Sequence, residues 1–352
     1  MFKEIDRVAK SEMKKLRVLV LMDRDLVPPP SMEGFSDEEI SEWKTEFDVL
    51  SSLKEMGHQV VPLGVADDPG VIRKTLLDLR PHVAFNLLEE FHGVAIYDQH
   101  VVAYLELMKQ PYTGCNPRGL MLAHDKGLSK KILSYHRIAT PKFALFPKGK
   151  VVKPLRRYAY PLLVKSVIED ASLGISRDSL VVSGDELKRR VGYVHEELGT
   201  DALVEEYIEG RELYVGVMGN QRLQTFPVWE MLFQKLPPGV PNIATRRVKW
   251  DAEYQKELGI VTEAADNLPA GAGERISKLC KRVYRVLCLS GYARMDLRMT
   301  DDGRVYVLEA NPNPNLSFGE DFAESAERVG ISYDKLIQRI LNLGTRYQPE
   351  WH

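Results

Sequence analysis

Cysteine is scarce: Cys115, Cys280 and Cys288 are the full set, an odd number with no C-x-x-C pair and no accompanying histidine pattern. A cysteine-based zinc site is thereby excluded, and a reducing compartment fits. Excess charge of either sign is also missing, since 50 Asp+Glu against 48 Lys+Arg leave a formal net charge of -2. No global field therefore recruits nucleic acid or an anionic membrane, and any bound anion has to be held locally. Long apolar runs are absent as well. The run Val18 to Met22 is too short for a signal-peptide core or a membrane span, so a cytoplasmic protein is expected. No G-x-G-x-x-G follows the early strands, which argues against a dinucleotide site there.

What is present is organised in stretches of different character, and 352 residues suffice for two or three packed units. A strand over Arg17–Met22 leads to a capping box, Ser36 with Glu39, which opens a helix carrying Ile40, Trp43, Phe47, Leu50 and Leu53. Gly57 stops it before a strand at Gln59–Leu63. A helix near Val71–Leu79, a buried strand at Val83–Asn86 and a helix around Val101–Met108 follow. This alternation predicts a small parallel sheet covered on both faces. After the turn-rich joint Tyr112–Gly119 comes a predicted helix over Leu122–Tyr135. Short strands then follow at Ala139–Phe146, Pro161–Lys165, Leu180–Val182, Leu203–Tyr207 and Glu212–Val217. Few long helices separate them, so an antiparallel α+β region is expected. Residues 227–271 show no clean period and read as a long loop over a site. Helices over Gly273–Leu289 and Asp321–Leu343 bracket a final hairpin. The divisions expected are an N-terminal extension at 1–16, an α/β unit at 17–118, a central unit at 119–202 and a C-terminal unit at 203–345.

That hairpin, Gly291–Asn311, concentrates charge on a β-ribbon. A two-residue turn at Asp302–Gly303 pairs Asp296 with Glu309 and Arg294 with Asn311. Alternation along each strand puts all four on one face. Opposed carboxylates repel unless a cation lies between them, and oxygen donors without His or Cys suit Mg²⁺. The adjacent Arg294 suits a phosphate or an oxyanion. A one-residue slip of register would part the two acids.

Upstream, Lys165 ends an apolar strand and precedes the small-residue loop Glu169–Gly174, an arrangement that can cradle phosphate. Lys126 follows His124 and Asp125 at a helix start. The segment Glu205–Glu212, with Glu206, Tyr207 and Ile208, sets carboxylates and backbone groups at a strand edge where an adenine amine and ribose hydroxyls can be met.

The order and spacing of these elements resemble the ATP-grasp superfamily, and within it the D-alanine:D-alanine ligase branch, from about Pro111 to Leu341. The motifs carrying the resemblance are Tyr112–Cys115, His124–Lys126, Leu163–Lys165 with Ser172–Gly174, Glu205–Glu212, Val248–Trp250, Ala293–Asp296, Leu308–Pro312 and Gly330–Tyr333. It implies an ATP-grasp fold of mixed α/β and α+β class. An N-terminal parallel pre-ATP-grasp lobe would precede a small central lobe and a C-terminal α+β lobe holding the metal. It further implies that Lys126, Lys165 and Ser172 bind phosphate, that Lys249 reaches the γ-phosphate from a lid, and that Arg294 stabilises an oxyanion. Glu205, Glu206, Tyr207 and Ile208 would hold adenine and Glu212 ribose. Asp296, Glu309 and Asn311 would coordinate two Mg²⁺ ions, with Mn²⁺ as a substitute. The implied reaction joins a small-molecule carboxylate to an amine through an acyl phosphate, releasing ADP and phosphate. Neither nucleic acid nor membrane is an expected partner, and related ligases allow a homodimer. An ATP-grasp phosphotransferase, or a nucleotide-binding module without turnover, remains the alternative.

The N-terminal part departs from the ligase pattern. Asp23–Pro28 replaces the family's Gly-Gly-x-Ser-x-Glu loop, and Ile96–Asp98 replaces the Glu-Asp-Gly expected after His92–Gly93. Ala171 and Trp250 stand where a serine and a tyrosine are usual. Asn315 follows a segment without the usual Pro-Gly, and Glu320–Asp321 falls near a serine that binds a substrate carboxylate. His92, Trp250, Asn315 and Glu320 are thus the candidate substrate residues. An acid at that end repels a carboxylate, so a substrate other than D-alanine is expected.

Overall fold

The computed structural model describes residues 15–168, 174–237, 241–245, 247–248 and 251–349. Most of the 1–16 extension, Ser172, Lys249, Ala171 and Trp250 lie outside the described residues. Among the described residues the strands form three sheets.

The first sheet is parallel and holds β1 (Arg17–Asp23), β2 (Gln59–Val65) and β3 (Val83–Asn86) in the order β2-β1-β3. Its helices are α1 (Asp37–Glu55), α2 (Pro69–Leu79) and α3 (Asp98–Leu107). The α1 capping box forms as the sequence predicts: Ser36 N–H donates to Glu39 Oε2 at 2.8 Å, and Glu39 N–H to Ser36 Oγ at 3.3 Å. Within α1 the backbone departs from helical geometry at Trp43. The apolar run of β1 is continuous because both faces are covered. Leu19 and Leu21 enter one core, while Val18, Val20 and Met22 enter another with Val49 and Leu53 of α1.

The second sheet is antiparallel, in the order β4-β7-β5-β6: β4 (Phe143–Phe146), β5 (Leu162–Ser166), β6 (Leu180–Val181) and β7 (Ala202–Glu206). Two helices precede it, α4 (Pro117–His124) and α5 (Lys126–Tyr135), where the sequence predicts one. Asp125 breaks the run: its backbone is extended and its carboxylate accepts from Leu128 N–H at 2.8 Å, capping α5. A helix not predicted, α6 (Gly184–Glu196), covers the sheet with Leu187, Val191 and Val194. Its start carries the same signature as α1, Ser183 accepting from Glu186 N–H at 3.3 Å. Because β7 pairs with β4 and β5, the central sheet continues through Glu206, past the expected division at 202/203.

The third sheet is antiparallel, with the path β11-β10-β8-β12-β13. Its strands are β8 (Arg211–Met218), β9 (Gln224–Thr225, paired to β8), β10 (Trp229–Phe233), β11 (Ile260–Ala264), β12 (Tyr292–Met299) and β13 (Val305–Pro312). Two of these strands and the helix α7 (Ala252–Leu258) fall within 227–271, so that segment is not the structureless loop expected. Each strand there is only five residues long, too short to stand out as a period. Helix α8 (Ala272–Val286) precedes the hairpin. The single helix predicted over 321–343 is two, α9 (Asp321–Glu327) and α10 (Tyr333–Arg346), separated at Gly330 with φ +77°. Ile337, Ile340 and Leu341 of α10 share a core with β1, β3 and α1, so the last helix covers a face of the first sheet.

Candidate active site

The β12–β13 hairpin delivers the pairing expected, by a less direct route. Asp296 is opposite Glu309 and Arg294 opposite Asn311. The connection is a three-residue loop closed by Thr300 N–H to Arg304 C=O (3.0 Å) and Gly303 N–H to Thr300 C=O (2.8 Å), with Gly303 at φ +79°. This shifts the lower strand pairs by one residue relative to a two-residue turn. A bulge then restores them: the register jumps between Asp296 and Leu297, leaving Leu308 as the extra residue. The bulged Leu308 carbonyl accepts from Lys130 Nζ at 3.1 Å.

Protein cations meet the opposed acids. Arg294 grips Asp296 through two donors, Nε to Oδ1 at 2.8 Å and Nη2 to Oδ2 at 2.9 Å. The same guanidinium lies 3.6 Å from Asp321 and 4.7 Å above the Tyr214 ring. Burial opposes its charge, but Asp296 and Asp321 outweigh that and raise its pKa. Lys126 Nζ stands 3.9 Å from Glu309.

Deeper in, α5 and β5 contribute lysines to one carboxylate. Glu205, on β7, receives Lys130 Nζ at 2.8 Å and Lys165 Nζ at 2.9 Å. Burial raises the Glu205 pKa, but the two lysines overcome it and hold the carboxyl down to about 2. For Lys130 desolvation wins and lowers the pKa; for Lys165 the attraction of Glu205 and Glu309 prevails against burial and raises it. Sequence reasoning missed Lys130. The available signal was its spacing from Lys126, four residues on, which puts both on one face of α5.

Lys165 and Glu205 border, together with the hairpin acids, a cleft open to solvent. Lys165, Glu205, Glu206, Tyr207, Ile208 and Glu212 line it from β5, β7 and β8, and Asp296 and Glu309 from the hairpin. Leu163, Ile175, Ile243 and Leu308 supply apolar walls, of which Ile175 and Ile243 were not singled out from sequence. Glu206 accepts from Ala159 N–H at 2.9 Å, and Tyr207 donates to Asn242 Oδ1 at 2.8 Å. Glu212 accepts from Tyr214 Oη on one oxygen and from Arg298 Nη2 on the other, both at 2.8 Å. Arg298, also missed, is thereby fixed beside the cleft.

Three predicted substrate residues do not line this cleft. His92 is exposed after β3 with φ +57°. Asn315 accepts from Thr45 Oγ1 of α1 at 2.9 Å and from Ser317 N–H at 2.8 Å. Glu320 is exposed immediately before α9, beside the Asp321 that faces Arg294.

Among the described residues no three His, Cys, Asp or Glu side chains cluster as a metal site. The hard-oxygen set of the hairpin is two opposed carboxylates, Asp296 and Glu309, with the Asn311 amide on the same strand as Glu309. That set fits a divalent cation of the Mg²⁺ type, which has to compete with Arg294 for Asp296. No described helix is long and apolar enough to cross a membrane.

Comparison with known proteins gives one consistent direction. The family described as D-ala D-ala ligase C-terminus matches residues 124–342. The uncharacterized protein y4sG of Sinorhizobium fredii is 31% identical over 85% of this chain and 86% of its own length. The D-alanine–D-alanine ligase of Desulforudis audaxviator is 28% identical over 89% of this chain and 96% of its own length. Among solved structures, the Bacillus anthracis D-alanine–D-alanine ligase complexed with ATP superimposes with a TM-score of 0.73 at 25% identity, covering 94% of this chain and 98% of that one.

Proposed function

The chain belongs to the D-ala D-ala ligase family and has its ATP-grasp fold, and from that premise we propose that its cleft binds ATP and uses it to join a small-molecule carboxylate to an amine. It is an ATP-dependent C–N ligase. The observation that supports the location is the convergence of Lys126, Lys165 and the opposed Asp296–Glu309 pair around one cleft.

In this reading the apolar walls Leu163, Ile243 and Leu308 take the adenine ring, with Glu205, Glu206 and the Tyr207–Ile208 backbone at its edge and Glu212 toward the ribose. Lys126 and Lys165 neutralise the phosphates, joined by Ser172 and Lys249. A substrate carboxylate oxygen attacks the γ-phosphorus as the bond to the β-phosphate oxygen breaks, giving an acyl phosphate and ADP. The amine nitrogen then attacks the carbonyl carbon, phosphate departs, and the nitrogen's proton is lost. Arg294, held between Asp296 and Asp321, would face the oxyanion in this reading. Divalent ions of the Mg²⁺ or Mn²⁺ type, bound by Asp296, Glu309 and Asn311, would supply further neutralisation of the triphosphate.

The substrate reading is finer. Asp321 lies 3.6 Å from Arg294, with Glu320 adjacent, so the substrate end of the site carries acid where a carboxylate would need a donor. This supports an acceptor other than D-alanine, with Asn315, His92 and Trp250 as further substrate contacts in this reading. The test is ADP release from Mg²⁺-ATP across amino acids, polyamines and short peptides, singly and in pairs. Release stimulated only by a pair, with an amide as product, is expected. Phosphate retained on a single compound would move the assignment to a phosphotransferase, and efficient D-alanyl-D-alanine synthesis would overturn the substrate reading.

A further inference from the structure

A second cavity opens where α1, the segment after β3 and the segment after β13 meet. It is small, with room for a group about the size of a water molecule or an ammonium head. Thr45 and Glu46 border it from α1, Asn86 and Glu89 from the end of β3, and Tyr292 and Asn313 from the hairpin.

Glu46 is its distinctive wall. The residue is 5% exposed, yet among the described residues its carboxylate receives a hydrogen bond only from its own backbone N–H. Its nearest lysine along α1, Lys44, is held elsewhere, by Asp48 at 2.7 Å and the Phe318 carbonyl at 2.6 Å. The Tyr333 hydroxyl, buried without a hydrogen-bond partner among the described residues, lies within electrostatic reach of Glu46. A buried carboxylate whose one donor is its own N–H is costly to ionise unless a ligand brings further donors or positive charge.

The sign of the surroundings restricts that ligand. Glu89 and Asp23 act on Glu46 from the ends of β3 and β1. Asp48 of α1, Asp334 of α10 and Tyr292 of β12 surround the same Tyr333 hydroxyl. Desolvation, reinforced by Glu89 and Asp23 against the pull of its own N–H, pushes the Glu46 carboxyl up to about 8. An incoming cation with hydrogen-bond donors would offset both the burial and the neighbouring negative charge, whereas a carboxylate would add to them.

The position relates to the cleft already described. Tyr292, Arg294, Asp296 and Arg298 alternate along β12 and share a face. Asp296 and Arg298 border the nucleotide cleft, Tyr292 borders this cavity, and Arg294 lies between. The separation of Tyr292 from Asp296 along the strand is roughly 13 Å, the reach of a small substrate extending away from the reacting phosphate. We propose that this cavity seats an ammonium group of one of the two substrates, with the Glu46 carboxylate as its counter-ion. The assignment rests on the ligase reading for what the ligand is for, and on the cavity alone for what binds.

The experiment measures the melting temperature of the full chain and of Glu46→Gln in a methylammonium chloride series, against equal concentrations of KCl, at pH 6 and pH 8. Methylammonium should raise the wild-type melting temperature above the KCl baseline, more at pH 8 than at pH 6, because a larger fraction of the carboxyl is ionised there. In E46Q the apparent Kd should rise at least tenfold, while stabilisation by Mg²⁺-ATP stays the same in both proteins. An equal methylammonium response in E46Q, or an equal response to KCl in wild type, overturns the ammonium seat. If Mg²⁺-ATP stabilises neither protein, the nucleotide reading fails, and the methylammonium comparison still decides the cavity.

Discussion

A carboxylate in this protein is worth what its neighbours make it, and two glutamates show the extremes. Glu205 sits between Lys130 and Lys165, which hold its carboxyl down to about 2. A depressed folded-state value means this stabilisation is full above the unfolded value near 4.5 and is lost as pH falls toward 2. Lys130→Met, which leaves Glu205 with one cation, should destabilise by about 3–5 kcal/mol in chemical denaturation, and adding Glu205→Gln should recover part of the loss. Glu46 has the opposite sign. Its carboxyl is raised to about 8, so its proton is held more tightly folded than unfolded, and stability falls as pH rises from about 4.5 to 8. Replacement E46Q should therefore raise the melting temperature in the absence of ligand, by several degrees more at pH 8 than at pH 5. Neither environment was legible from residue type. Lys165 and Glu205 could be singled out from their strand positions, but Lys130 and Glu46 lie in ordinary-looking helical sequence, and only the packing of α5 on β13 and of α1 on β3 reveals them.

At the scale of the element, the hairpin shows how a correct pairing can follow from an incomplete premise. Asp302–Gly303 signals a tight turn, and the acids do face each other, but the loop is longer by one residue and Leu308 compensates. Deleting Leu308 should remove the bulge yet leave Glu309 opposite Asp296, because Val307 and Glu309 then follow one another across from Leu297 and Asp296, while Lys130 Nζ loses its carbonyl acceptor. Mg²⁺-ATP-dependent ADP release should then fall without vanishing, and circular dichroism should keep its native form. Glu309→Gln, which removes one of the paired charges, should abolish turnover, and wild-type turnover in E309Q would contradict the metal assignment. Gly303→Ala meets no atom within 4 Å but keeps φ at +79°, so a modest loss of about 1 kcal/mol is expected in denaturant titration. Helix ends were legible where a cap stood before a strong apolar stripe, as at Ser36. Asp125 and Gly330 were passed over because both interrupt apolar runs that continue on either side, while the α6 cap at Ser183 was masked by a highly polar helix face.

Across the whole molecule, alternating strands and helices announced the parallel sheet, and the short strands after Ala139 announced antiparallel pairing. What the order of elements could not convey is which distant pieces close a core. The cleft draws residues from β5, β7, β8 and both hairpin strands, and the apolar walls Ile175 and Ile243 come from segments with no regular structure. Removing the chain from Tyr333 onward should expose one face of the first sheet, because α10 packs there. Amide exchange in β1 and β3 should then accelerate by orders of magnitude, far from the truncation in sequence.

That same packing sets a schedule for synthesis. A ribosome delivers β1, β2 and β3 first, yet Val18, Val20, Phe85 and their neighbours gain Ile337, Ile340 and Leu341 only when the final helix has emerged. The nascent N-terminal lobe must therefore wait, partly uncovered, through translation of almost everything that follows, with an apolar face open to misassociation during that interval.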